Sequence, residues 1–139
     1  GVTNYEWQET GSGTLHLGGG LLLSSQELVK FGELQRHNGK KNDDQLYSVE
    51  WAKTAIKPYT QIPDTPFEYG YLWWLVPYSV SDQSYIAASM MGNGGNRVMV
   101  LPEFDLTVVF TNTDFNTPTM HQNANAFFQN EIVARLSKS

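Results

Sequence analysis

The sequence predicts an α+β fold: an antiparallel sheet of three to four strands flanked by helices. Three observations carry this. The first half holds two segments that open on a capping serine and continue with helical apolar spacing. From Phe67 the apolar and aromatic residues fall instead into short, strand-length blocks. A last segment then returns to helical spacing. Short connections between the blocks favour antiparallel neighbours. Helices grouped before and after a sheet, instead of alternating with its strands, point to α+β.

Taken in order, residues 1–20 read as loop, with Gly11, Gly13 and the run Gly18-Gly19-Gly20. Residues 24–57 read as helical. The Ser24 hydroxyl can accept an early backbone N–H while Glu27 reaches back, a capping box. Leu28, Phe31 and Leu34 then form one stripe, and Asn38-Gly39 supplies a left-handed stop. A second helix from Ser48 is expected to turn Trp51, Ala52, Ala55 and Ile56 inward and to end at Pro58. The three prolines between Pro58 and Pro66 suggest an irregular connection. Residues 67–112 are expected to form the sheet. Tyr69 to Val76 is apolar and aromatic on both alternating faces, as a doubly covered strand is. Ser81-Asp82-Gln83 marks a turn, Tyr85 to Met91 a returning strand, and Arg97 to Leu101 and Leu106 to Phe110 two more. Residues 117–137 are expected to form the closing helix. Thr117-Pro118 opens it, and Ala124, Phe127, Phe128, Ile132 and Leu136 supply its apolar stripe.

Composition narrows the function classes. The 139 residues are 40% hydrophobic and 17% charged, as in a globular domain of ordinary size. The net charge is −5 and the nine basic residues are scattered, which argues against a nucleic-acid partner. Without cysteine there is neither a disulfide nor a thiolate metal site. No apolar run approaches the roughly 18 residues of a membrane span. The N-terminus shows no signal-peptide pattern and no initiator Met, so it is expected to have been processed, engineered or cut.

Catalytic machinery is hard to find. Neither G-x-S-x-G nor S-x-x-K occurs, so no serine is presented on a nucleophile elbow or one helical turn from a lysine. His16, His37 and His121 leave a Ser/His/Asp triad open, but nothing points to its serine. The histidines lack metal-ligand spacing, and Asn42-Asp43-Asp44 lacks the alternation of a calcium loop, so no metal and no cofactor is expected. Gly18-Gly19-Gly20 is followed by no G-K-[ST] and reads as a loop feeding the capped helix. Gly92-Asn93-Gly94-Gly95 lies between two apolar strands. It reads first as a plain β-turn, and second as a close approach of backbone to a neighbour or a ligand. The aromatics from Tyr69 to Trp74 read as core more readily than as a sugar-binding face.

Four segments together carry a resemblance. Gly18-Gly19-Gly20-Leu21-Leu22-Leu23 before a capped helix, the segment Tyr69 to Trp74, the cluster Gly92 to Gly95, and the run Val98 to Asn112 occur in the order seen in serine β-lactamase-like proteins. That superfamily includes class C β-lactamases, D,D-peptidases and esterases. The resemblance implies a partial β-lactamase/transpeptidase-like fold. It also implies acyl-enzyme chemistry in which the serine and lysine of S-x-x-K and the tyrosine of Y-x-N would lie upstream of Gly1. A third element borders the pocket on a sheet strand and gives one oxyanion N–H. By resemblance it falls on Gly92-Asn93-Gly94 or, slipped by one, Asn93-Gly94-Gly95. Gly92, Asn93, Gly94, Gly95 and Asn96 are therefore the expected substrate-binding residues. The lysine of that element is absent, which weakens carboxylate recognition of a β-lactam and favours an ester or peptide-like substrate.

The expected function is thus the C-terminal part of a serine hydrolase acting on an ester, amide or β-lactam and inactive alone. Its expected partners are the missing N-terminal part, a small-molecule or peptide substrate, and further copies of itself through an unpaired sheet edge. The resemblance implies a periplasmic or secreted protein. The alternative is a non-catalytic peptide- or glycan-binding or scaffold relative. A complete enzyme with an unrecognised triad is the third reading.

Overall fold

The computed structural model describes residues 1–16 and 19–136, so Gly18 of the glycine run lies outside the described residues. Its centre is a six-stranded antiparallel sheet. Chain order supplies β1 (Tyr5–Trp7), β2 (Leu21–Leu23), α1 (Ser25–Arg36), β3 (Lys40–Lys41), β4 (Asp44–Gln45), α2 (Val49–Ala55), β5 (Thr60–Gln61) and β6 (Glu68–Tyr69). They are followed by β7 (Trp74–Val80), β8 (Gln83–Met91), β9 (Arg97–Leu101), β10 (Leu106–Phe110) and α3 (Met120–Phe127). The main sheet runs β10-β9-β8-β7-β6-β5, a meander in which every neighbour is consecutive in sequence.

The α+β class and the antiparallel strands β7 to β10 agree with expectation, but the sheet is larger than three or four strands. The added pair, β5 and β6, has two residues per strand, too few to show any alternation. The aromatic segment is also not one strand. Gly70 N–H bonds Trp73 C=O at 2.8 Å, and Leu72 takes φ 63°, so the chain reverses between β6 and β7. Trp73 enters the core while Tyr71 and Leu72 stay outside. Pro77 sits in β7 without cost, because β6 pairs only with the first two residues of that strand and leaves the edge open beyond them.

Residues 1–20 are not simply loop. Leu21–Leu23 pairs antiparallel with Tyr5–Trp7, and Glu9 bridges Leu15, so a small ribbon precedes α1. Its strands have three residues each, again below what periodicity reveals. Ser24 caps α1 as expected by accepting from Glu27 N–H, but the Glu27 carboxylate pairs with Lys30 at 2.6 Å, one turn on. Ser48 caps α2 in the same way. Between the two helices lies the hairpin β3–β4, with Asn42 at φ 53°.

Both faces of the sheet are covered, which leaves all of β9 buried. On one face, α1 packs on β9 and β10. Gly32 permits the close approach: a Cβ there would lie 2.5 Å from Thr107 Cγ2. Ala55 of α2 joins Trp73, Leu75, Ala88 and Val100 on that face. Trp51 does not follow. It is 49% exposed and stacks on Tyr71 with ring centroids 5.4 Å apart. Ala52 and Ala55 take the buried side of the helix, and the indole instead finds its apolar partner in Tyr71, which the reversal at Leu72 leaves outside.

The C-terminal helix covers the other face, over Val76, Tyr78, Ala87, Met99 and Val108. It begins at Met120, not at Thr117, because Thr117 N–H and Oγ1 are both held by the Asp114 carbonyl in a preceding turn. From Phe128 to Val133 the helix widens to π geometry before a last α turn, Ala134–Leu136. The wider turn brings Phe128 and Val133, five residues apart, onto the buried face and leaves Phe127 46% exposed.

Candidate functional site

The five expected site residues form one tight turn at the end of β8. Gly92 is extended, and Asn93–Gly95 make a single 3₁₀ turn before Asn96 leads into β9. Gly92 N–H donates to the Asn96 carbonyl at 2.9 Å, and Gly95 N–H donates to the Gly92 carbonyl at 3.3 Å. Across a trans peptide the C=O and N–H point in opposite directions. The Gly92 carbonyl is turned inward to Gly95, so the Asn93 N–H points out of the turn. It meets no acceptor among the described residues.

Two of the glycines are required by packing against the protein itself. Gly94 and Gly95 have φ of 83° and 85°. A Cβ on Gly94 would lie 2.8 Å from the Phe115 ring, and one on Gly95 would lie 2.7 Å from the Met120 carbonyl. Of the two close approaches open from sequence, backbone to a neighbour is the one the structure shows. Both residues are buried, while Asn93 is exposed.

The two asparagines clamp the turn to the loop between β10 and α3. Asn93 Nδ2 donates to Asn116 Oδ1 at 2.9 Å, and Asn93 Oδ1 accepts from Asn116 N–H at 3.0 Å. Asn96 Nδ2 donates to the Asn93 carbonyl at 2.6 Å, and its Oδ1 accepts from Asn112 N–H at 2.9 Å. Asp114 extends the network by accepting from Asn112 and Asn123. Gly94 N–H is directed at the Met120 sulfur, 3.2 Å away. Sequence reasoning missed Asn112, Asp114, Asn116 and Met120. The available signal was the density of Asn and Asp just after the last strand, a composition that favours side-chain-to-backbone bonds.

Among the described residues no serine hydroxyl is bonded to a histidine: His37 holds the Glu33 carbonyl, and His121 stands against Arg97. Ser89 is fully buried with only a long 3.4 Å bond to the Met90 carbonyl. The described residues contain no group of three metal-ligating side chains, and no helix is long and apolar enough to cross a membrane. An open hollow of about 710 Å³ lies away from the turn, along the outer face of α1, lined by Val29, Phe31, Leu34 and Leu46 with Lys40 and Lys41 at its rim.

The sequence matches no family model and no curated protein. Its fold does match that of a solved protein from Bacillus anthracis, provisionally named a 6-aminohexanoate-dimer hydrolase. The TM-score is 0.72 at 15% identity, over 95% of this chain and 34% of the other. The chain therefore has a β-lactamase-like fold and spans about a third of the length of that neighbour.

Proposed function

We propose that this chain is the C-terminal part of a serine hydrolase of β-lactamase-like fold, with Gly92–Asn96 forming one wall of the acyl-transfer site. The observation that carries the reading is the outward, acceptor-free N–H of Asn93 on a turn braced by its own glycines and asparagines. A preorganised backbone donor of this kind is what an oxyanion hole needs, and one such donor is worth about 3–4 kcal/mol of barrier where it has been removed from an acyl-transfer enzyme. A serine from the upstream part would attack the substrate carbonyl. Its own N–H and that of Asn93 would hold the oxyanion, and the lysine and tyrosine would carry the proton to the leaving group.

The substrate class follows from what surrounds that N–H. The third-element lysine is missing, and the Asn93 amide is engaged by Asn116. Neither can receive a β-lactam carboxylate, so an ester or a linear amide is favoured. The neighbour's name implies an amide substrate of that kind. By the same resemblance the protein is periplasmic or secreted. The outer edge of β10 has no partner strand among the described residues, and a bare edge invites pairing. The isolated chain should therefore self-associate.

The test is the coding sequence upstream of Gly1. An S-x-x-K followed by Y-x-N supports the proposal, and an upstream region lacking both sinks it. The 139-residue chain should meanwhile resist a fluorophosphonate probe. Labelling of one of its own serines would favour the complete-enzyme reading instead. One observation favours the binding-module alternative: Trp51, Tyr71 and Tyr59 form an exposed aromatic stack, a surface suited to a sugar ring or a peptide.

A further inference from the structure

The protein has three arginines. The two nearer the surface already have carboxylate partners: Arg36 pairs with Glu33 and Asp105, and Arg135 with Glu131. Arg97 is the reverse case. It is 2% exposed, and no carboxylate contacts it among the described residues. Its guanidinium reaches only His121 Nδ1 at 3.3 Å and Asn125 Oδ1 at 3.4 Å, both at the long end of hydrogen bonding.

Buried charges are ordinarily paired, because desolvation without a partner is costly. Among the described residues nothing nearby offers that pairing. The cross-strand neighbours of Arg97 on the same face of the sheet are Met91 and Phe110, and above it on α3 lie His121 and Asn125. Burial lowers the Arg97 pKa only to about 10, so the side chain stays cationic at neutral pH. Partial burial and the Arg97 charge push His121 down, so its ring is neutral there and supplies no counter-charge. His121 is itself exposed and Asn125 half-buried, so the two side chains over the guanidinium stand at the surface of the helix. An open hollow of about 280 Å³ is lined by Phe110, the cross-strand neighbour of Arg97, with Ala124 and Phe127.

We propose that Arg97, roofed by His121 and Asn125, is a socket for a carboxylate. The planar guanidinium can offer two parallel N–H donors to such a group, and the Asn125 amide can turn its N–H toward it. The carboxylate comes either from a small solute or from an acidic side chain of a second copy of this chain, whose net charge is −5.

Three arginine Nε–H signals make the test direct by NMR of the 139-residue chain near neutral pH. Sodium acetate is titrated against sodium chloride at equal ionic strength, and a dilution series is run without acetate. A saturating downfield shift of the Arg97 signal with acetate alone identifies a small carboxylate as the ligand. A downfield shift that grows with protein concentration and that added acetate competes away identifies the carboxylate of a second copy, whereas association through the β10 edge is insensitive to acetate. The Arg97 signal remaining still in both series overturns the proposal. Acetate should also raise the melting temperature of the parent chain by several degrees and leave Arg97→Met unchanged. If that variant does not fold, the NMR series decides alone.

Discussion

The Asn93 side chain meets Asn116 twice, donating from Nδ2 to its side-chain oxygen at 2.9 Å and accepting its backbone N–H at 3.0 Å. One exposed amide thereby holds the turn after β8 against the loop after β10, across 23 residues of sequence. Asn116 can present both atoms because it takes the left-handed conformation, at φ 58°.

Breaking this pair should cost stability locally. Asn93→Ala removes two hydrogen bonds at a solvated site, so a loss of about 1–2 kcal/mol is expected in denaturant unfolding. Asn93→Asp should lose at least as much, because its carboxylate would face the Asn116 side-chain oxygen. Equal stability of all three proteins would show that the clamp contributes nothing.

The glycines should rank by position. Gly95→Ala and Gly94→Ala each combine a left-handed backbone with a Cβ closer than 3 Å to a neighbour, for a cost of about 2–4 kcal/mol. Gly92→Ala has φ −116° and a nearest contact of 3.4 Å, so about 1 kcal/mol or less is expected. Thermal unfolding of the three variants tests the order, and a Gly92 variant as damaged as the other two would contradict it.

Tyr78 should be better as phenylalanine. Its hydroxyl is buried without a hydrogen-bond partner among the described residues, and burial pushes its pKa up. An unsatisfied buried hydroxyl costs about 1–3 kcal/mol, while the ring's packing on Tyr85, Phe104 and Phe128 survives the change. Tyr78→Phe should therefore raise the unfolding midpoint. A lowered midpoint would mean that the hydroxyl has a partner in solution.

Glu33 should make stability depend on acid pH. The Arg36 guanidinium beside it lowers its carboxyl from 4.5 to about 2. A carboxyl depressed in the folded state contributes fully above its unfolded value. That contribution is lost as pH falls from about 4.5 through about 2. Screening at this partly exposed site reduces it to about 1 kcal/mol. Glu33→Gln should flatten stability across that window and leave its shape near neutrality unchanged. A parallel pH profile for the two proteins would remove Glu33 from the account.

Self-association through β10 should appear as a weight-average mass that rises with concentration in sedimentation. A monomer at high concentration would mean that the bare edge is protected in solution.

What the sequence determined by itself were features set by neighbours along the chain over long enough runs. The serine caps of α1 and α2, the meander from β7 to β10 and the turn position of Gly92–Asn96 follow from local chemistry and from runs of five residues or more. The tertiary structure decided the rest. Strands of two or three residues leave no period to read. Trp51 turned outward because Tyr71, brought beside it by the fold, gives its ring a partner there, while Ala52 and Ala55 take the buried side of α2. The candidate site divides in the same way. Gly92 to Asn96 could be read as a segment, but Asn112 and Asn116 joined them only when the β9–β10 hairpin brought the two loops side by side. The solitude of Arg97 was likewise invisible, since whether a charge has a partner depends on what the fold packs around it.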